Sequence, residues 1–316
     1  MLISVVIPLY NKAQYVGRAI DSVLMQGFRD YELIVVDDGS TDNSGEIVRS
    51  YKDPRIKYVQ QKNAGECSAR NRGIIESCGA NIAFLDADDA WKDDFLGTIS
   101  CLLGKYPDAG IYSAAYDVVD HQGTARKLRF AGISAPDWEG VVPDYFHAAT
   151  LGAGPVCSSS VCIPRKVFSV AGLFPDGEKL GGDQDTWCRI ALKFPVVFTS
   201  KVLATYYLNA ENRVCANNPP LNELGFIKRL QGSLDRGMVP EDMRRSVRLY
   251  IAQQLLHLAS INIKSGNNAA ARKLLLDKRT YIFLKKRTFW ILVSMLPRSV
   301  VLAVKRLRSM VYACYG

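Results

Sequence analysis

Tyr31-Glu-Leu-Ile-Val-Val-Asp-Asp-Gly-Ser40 decides the fold. Tyr31–Val36 is apolar and β-branched without alternation, which is how a strand covered on both faces reads. Asp37-Asp38-Gly39-Ser40 stops it. Ser40–Tyr51 then reads as a helix with Ser40 or Thr41 as its cap. Upstream, Leu2–Pro8 is a second buried strand, and Tyr15–Gln26 places Val16, Ala19, Ile20, Val23 and Leu24 at helical spacing. Downstream, Ile56–Gln60, Glu66–Ser77 and Asn81–Leu85 read as strand, helix and strand. This alternation predicts an α/β fold, with a mostly parallel central sheet flanked by helices. Ligands of such sheets bind beyond the carboxyl ends of the strands. Three polar loops converge there: Pro8-Leu-Tyr10-Asn11, Asp37-Asp38 and Asp86-Ala87-Asp88.

Further along, Asp94–Tyr106 reads as a helix and Gly110–Val119 as a strand. Residues 120–156, with several Gly and Pro, read as loops over the site. Ser158–Ile163 reads as a strand, Gly181–Lys193 as a helix and Val196–Leu208 as strands. From about Asn222 the pattern is helical to the end, and Asn217-Asn218-Pro219-Pro220 marks the boundary. Two domains follow, 1–218 and a helical basic region 219–316.

The 316 residues are ample for a buried core, and 48% hydrophobic with 22% charged is ordinary for a globular chain. The net charge of +9 is unevenly placed. Lys264–Gly316 holds 12 Lys and Arg against the single acid Asp277, while the rest of the chain is near neutral. Such a tail seeks anionic lipid or nucleic acid. Eight scattered cysteines form no Cys-x-x-Cys, and three histidines (His121, His147, His257) make no zinc spacing. Reduced thiols are expected. No basic leader with a cleavage site precedes the first strand, and no run reaches the roughly 18 apolar residues of a membrane span. The expected location is cytoplasmic.

No Gly-x-Gly-x-x-Gly follows the first strand and no Gly-x-x-x-x-Gly-Lys-Ser/Thr occurs, so dinucleotide and P-loop modes of holding phosphate are excluded. Asp86-Ala87-Asp88-Asp89 offers another mode. Three carboxylates directly after a buried strand repel one another. A divalent cation bound by one or two of them plus ligand phosphates satisfies them.

Taken together, Ser4-Val-Val-Ile-Pro-Leu-Tyr-Asn11, Glu32-Leu-Ile-Val-Val-Asp-Asp-Gly-Ser-Thr-Asp42, Asn63-Ala-Gly65, Ala69-Arg-Asn-Arg-Gly73 and Phe84-Leu-Asp-Ala-Asp-Asp89 resemble the family 2 glycosyltransferases with the GT-A nucleotide-sugar fold. The resemblance is close over 1–92 and resumes weakly at 158–208. It implies a nucleotide half, 1–92, and an acceptor half, 93–218. It also implies an inverting transfer from a nucleotide-sugar, UDP by family preference, with Mn2+ or Mg2+ as cofactor. Pro8, Tyr10, Asn11, Asp38, Asn63, Arg70 and Asp86 would line the nucleotide site, with Asp38 accepting from the uracil N3–H. Asp88 would be the main metal ligand, with Asp86 on ribose or metal and Asp89 behind them.

Inversion needs a base for the acceptor hydroxyl. The family places an Asp of a Glu-Asp pair at the start of a helix. The matching segment is Gly181-Gly182-Asp183-Gln184-Asp185-Thr186-Trp187, which puts Asp183 at the base position and Gly182 where the Glu would stand. Asp185 reads as an acid favouring a helix N-terminus, and Trp187 and Arg189 as packing and surface residues. In the tail, Pro297 opens a helix with Val300, Val304, Leu307 and Val311 on one face. Lys285-Lys286-Arg287 adjoins Phe289-Trp290-Ile-Leu-Val293. This combination suits an anionic membrane surface. It predicts a peripheral enzyme on the inner face of the cell membrane, acting on a saccharide or lipid-linked saccharide acceptor in bacterial surface polysaccharide synthesis. The competing reading is an inactive protein of the same fold with a nucleic-acid- or membrane-binding tail. The joint presence of Asp86, Asp88 and Asp183, and the absence of a nucleic-acid module, disfavour it. A nucleotidyltransferase would carry a glycine-rich loop where Pro8–Lys12 stands.

Overall fold

The apolar runs become strands β1 (Ile3–Leu9), β2 (Tyr31–Asp37), β3 (Ile56–Gln60) and β4 (Asn81–Phe84). They pair in parallel in the order β3-β2-β1-β4. This is a computed structural model, and it describes residues 2–130, 137–210, 222–297 and 300. The absence of alternation in β1 has a direct cause: all seven of its residues are buried. In β2 successive side chains serve opposite faces. Leu33 and Val35 join Ile3, Val5 and Ile7 in the core beneath helix α1 (Val16–Leu24), while Ile34 and Val36 pack with Ala69 of helix α3 (Glu66–Glu76). Each such side chain contributes about 1.5–3 kcal/mol by leaving water.

Beyond β4 the sheet turns mixed. β4 pairs antiparallel with β9 (Val161–Pro164), and β9 pairs antiparallel with β6 (Ile111–Val119). β6 runs parallel to the twelve-residue β10 (Val196–Tyr207), which bulges between Thr199 and Ala204. Two short antiparallel strands edge β10: β5 (Ala90–Trp91) and β8 (Glu139–Val141). β7 (Ala125–Lys127) pairs with β6. The result is an α/β unit with a central sheet flanked by helices.

Several sequence expectations are corrected. Helix α2 spans Ser44–Ser50, not Ser40–Tyr51. Residues 40–42 are held as a loop instead: Ser40 N–H bonds to Asp37 Oδ1 at 2.8 Å and Thr41 N–H to Asn11 Oδ1 at 2.7 Å. The expected loops of 120–156 contain β7, β8 and helix α5 (Tyr145–Leu151), capped by Asp144. Ser158–Ser160 form a 3-10 turn before β9, and helix α6 (Arg165–Ala171) follows it. Helix α4 (Phe95–Lys105) and helix α7 (Gly182–Ala191) fall where the periodicity places them.

The chain divides into two units, Met1–Arg213 and Val214–Gly316. The expected boundary at Asn217–Pro220 lies outside the described residues. The second unit contains α8 (Gly225–Asp235), α9 (Arg244–Ser265), α10 (Asn268–Leu275), a 3-10 turn (Lys278–Phe283) and α11 (Leu284–Val293). α9 stops at Gly266, whose φ of 86° is the left-handed cap favoured by glycine. The tail helix expected from Pro297 to Val311 lies outside the described residues except for Pro297 and Val300. Among the described residues no helix is long and apolar enough to cross a membrane. Cys67, Cys78, Cys101, Cys157, Cys162 and Cys188 are free thiols.

Candidate active site

The loops after β1 and β2 are stitched together before any ligand arrives. Asn11, in the left-handed region at φ 49°, donates its N–H to Ser40 Oγ at 3.0 Å, and its side chain accepts from Thr41. Lys12 N–H bonds to Ser44 Oγ at 2.9 Å. Pro8 is buried in β1, whereas Tyr10 stands 47% exposed at the strand end, open to stacking.

Asp37 and Asp38 divide their work. Asp37 accepts from Ser40 N–H and from the Tyr58 hydroxyl at 2.6 Å. Asp38 is buried and reaches the other way. Its Oδ1 accepts from Gln61 Nε2 at 2.7 Å and Ala64 N–H at 2.9 Å, and its Oδ2 from Gly65 N–H at 2.8 Å. A carboxylate offers about four acceptor positions, so one on Oδ2 is left over. Gly39 makes this crossing possible. Its φ is 75°, and a Cβ there would lie 2.9 Å from the Asn63 nitrogen. Asn63 itself is exposed.

Arg70 is the buried centre. Its guanidinium bonds to Glu66, to Asp86 Oδ1 at 2.7 Å, and lies 5.5 Å from the Phe174 ring centroid. Burial opposes its charge, but the carboxylates of Glu66, Asp86 and Asp183 outweigh that and hold its pKa raised. Arg70 Nε finds no partner among the described residues. Asp86 pays the reverse cost. Burial pushes it up, Arg70 pulls it down, and Glu66 and Asp88 push it up again, leaving it at about 6.

Asp88 takes a different cation: Lys12 Nζ stands 2.7 Å from its Oδ2. Its carbonyl is held by Arg18, whose guanidinium stacks 3.5 Å from the Tyr207 ring centroid. Asp89 is fully buried, and both its oxygens are engaged, Oδ1 by Tyr207 N–H at 3.0 Å and Oδ2 by the Ser159 hydroxyl. Burial raises its pKa strongly, with Asp86 and Asp88 adding to the effect. Ser159 closes the loop by accepting Asp86 N–H at 3.2 Å. Asp86 and Asp88 therefore each keep one oxygen, Oδ2 and Oδ1, that accepts no hydrogen bond from the described residues, whereas Asp89 keeps none.

Asp183 sits in the first turn of α7, where the helix dipole favours a carboxylate. The Ser158 hydroxyl donates to its Oδ2 at 3.4 Å. Asp185 is instead a structural anion: Arg189 Nε binds it at 2.7 Å while the rest of that guanidinium ties down the carbonyls of Ala171, Gly172 and Leu173. Trp187 is buried edge-on to Phe174. A Cβ on Gly182 would stand 2.3 Å from Cys67 Sγ. Cys67 thus fills the space that the Glu of the family pattern would need at position 182. Burial pushes the Cys67 thiol up to about 12, so it behaves as packing. The three histidines are exposed.

Arg70 and the loops after β1 and β4 thus share one ion-pair and hydrogen-bond network, and Asp183 lies close enough to bear on the charge of Arg70. Lys12, Arg18, Ser159 and Tyr207 are additions that the sequence reading did not single out. Lys12 carried a signal, as a cation directly after a strand-end motif. The run Ser158-Ser159-Ser160 carried a weaker one, since hydroxyls interrupt an otherwise apolar strand.

The central sheet flanked by helices is that of the GT-A fold. Residues 4–166, more than half of the chain, match the model of Glycosyl transferase family 2. The chain belongs to that family. An uncharacterized glycosyltransferase of Rickettsia conorii is 32% identical over 192 residues, 60% of this chain but only 30% of that protein. Among solved structures, S. aureus TarS 1-349 in complex with UDP-GlcNAc superposes with a TM-score of 0.67 at 16% identity, covering 93% of this chain and 91% of that one. The mannosyltransferase PcManGT of Pyrobaculum calidifontis, in complex with GDP-Man and Mn2+, superposes with a TM-score of 0.57 at 19% identity, covering 96% and 86%. At these identities the two structures speak for the fold.

Proposed function

We propose that this enzyme transfers a hexosyl or N-acetylhexosaminyl group, with inversion, from a UDP-sugar to a saccharide acceptor. The acceptor would be lipid-linked, in bacterial surface polysaccharide synthesis at the inner face of the cell membrane. The observation that carries the reading is the pair of oxygens, Asp86 Oδ2 and Asp88 Oδ1, that accept no hydrogen bond from the described residues, beside Arg70 and Lys12. Hard oxygen donors on one or two carboxylates fit Mg2+ or Mn2+ that completes its shell with phosphates. The solved relative with GDP-Man and Mn2+ is in keeping with this. A bound cation supplies Lewis-acid offset of the charge that builds on a departing diphosphate.

The chain's own residues account for the rest. Tyr10 offers its exposed ring to the base, and the remaining acceptor position of Asp38 suits the uracil N3–H. Pro8, Asn11 and Asn63 shape the surrounding loops. Arg70 keeps Asp86 aimed and ionised. Lys12 adds positive charge beside the diphosphate. Asp183 receives the acceptor hydroxyl proton as the acceptor oxygen bonds to the anomeric carbon and the bond to phosphate breaks. Near-concerted displacement lets the proton leave late.

Asp88→Ala should lower nucleotide release from the donor about a hundredfold or more and weaken Mn2+ binding measured by paramagnetic resonance. Undiminished activity and Mn2+ binding would remove Asp88 from this role.

A further inference from the structure

The second unit contains a helix whose inward side, Arg287, Trp290 and Ile291, is only half-buried. α11 buries none of its ten residues, although an ordinary surface helix turns an apolar stripe to the core. Phe289 is 51% exposed, Leu292 59% and Met295 66%, and with Lys285 they recur at helical spacing along one side. Tyr281, Ile282 and Leu284 extend the exposed apolar surface into the preceding turn. Exposure on this scale marks a surface that meets something.

Charge indicates the partner. Lys278 and Lys285 are exposed in this stretch, Lys286 and Arg287 bond to Gln253 Oε1 and the Leu275 carbonyl, and no Asp or Glu occurs from 278 to 316. The nearby carboxylates Glu223 and Asp277 are both held by Arg279, at 2.8 and 2.7 Å, which cancels one of their two charges. Phe289 and Trp290 stand edge to face with centroids 5.2 Å apart, with Lys264 5.8 Å from the Trp290 ring. Aromatic rings with long-stemmed cations beside them are the composition that settles at a headgroup boundary.

We infer that the α11 face, from Tyr281 to Met295, is the surface by which this protein lies on an anionic phospholipid bilayer. It inserts Phe289, Leu292 and Met295, while Lys278 and Lys285 meet the headgroups. The inference deepens the membrane-side part of the function proposed above and rests on it for its purpose, but not for its geometry.

Sedimentation of the full-length protein with phosphatidylcholine vesicles, with and without phosphatidylglycerol, tests it. Retention should require phosphatidylglycerol and weaken with salt. Phe289→Ser/Leu292→Ser/Met295→Ser and, separately, Lys278→Gln/Lys285→Gln should each lower retention about tenfold or more. Both variants should keep the wild-type melting temperature and donor hydrolysis, because the side chains replaced are exposed. Unchanged retention in either variant overturns the inference. So does an apolar variant that only splits a dimer, or a protein that holds DNA but not vesicles. Vesicle binding without donor hydrolysis in the wild type would contradict the proposed reaction and leave this surface standing.

Discussion

Arg70 shows how much depends on one residue. It neutralises Asp86, bonds to Glu66, and bears on Asp183 from a buried position. Arg70→Met leaves those carboxylates facing each other without a cation, at a cost of about 3–5 kcal/mol in stability, readable as a lowered urea midpoint. Gly182 offers a second test. Gly182→Glu forces a side chain against Cys67 Sγ and should destabilise by about 1–3 kcal/mol. Adding Cys67→Gly should return most of that loss, and a double variant no more stable than Gly182→Glu would show that the clash lies elsewhere. At this scale the sequence was partly legible. Asp86, Asp88 and Asp183 could be named from a resemblance in motif order. The partners of Asp38 could not, because Gln61, Ala64 and Gly65 reach it only through a crossing between strand-end loops that leaves no local pattern.

At the scale of elements, the strands β1 to β4 were readable because burial on both faces removes alternation and leaves continuous apolar runs. The start of α2 was not, since Asn11, 30 residues upstream of Thr41 and from another strand end, holds residues 40–41 out of the helix. The short strands β7 and β8 were hidden for a similar reason: they are edge additions whose pairing depends on β6 and β10, not on their own three residues. In the second unit, Arg279 clasps Glu223 and Asp277. Its hydrogen bonds hold the Asp277 carboxyl below the usual aspartate value of 3.8. A carboxyl with a depressed folded-state value stabilises fully above the unfolded value, and that contribution is lost as pH falls through the folded one. Asp277→Asn should therefore lower the urea midpoint at pH 7, by about 1 kcal/mol or more in stability. The gap to wild type should close below pH 3.8, and a gap that persists there would mean that packing, not charge, is what Asp277 supplies.

For the whole molecule, two properties should separate. The variants Asp88→Ala and Asp183→Asn leave the α11 face untouched and should bind anionic vesicles as the wild type does. The α11 variants should hydrolyse donor at wild-type rates. The basic tail was visible in composition alone. Its exposed aromatic face was not, because Phe289-Trp290-Ile-Leu-Val293 reads equally well as a packed helix until burial is known. The central claim concerns the carboxylates at the strand ends. Its most direct test measures nucleoside diphosphate release from a panel of nucleotide-sugars, with Mn2+ or Mg2+ and with chelator, in the wild type, Asp88→Ala and Asp183→Asn. The account predicts release from a UDP-sugar that needs the cation, falls about a hundredfold or more in Asp88→Ala, and falls comparably in Asp183→Asn when an acceptor is supplied. Release that ignores the chelator and survives Asp88→Ala would contradict it.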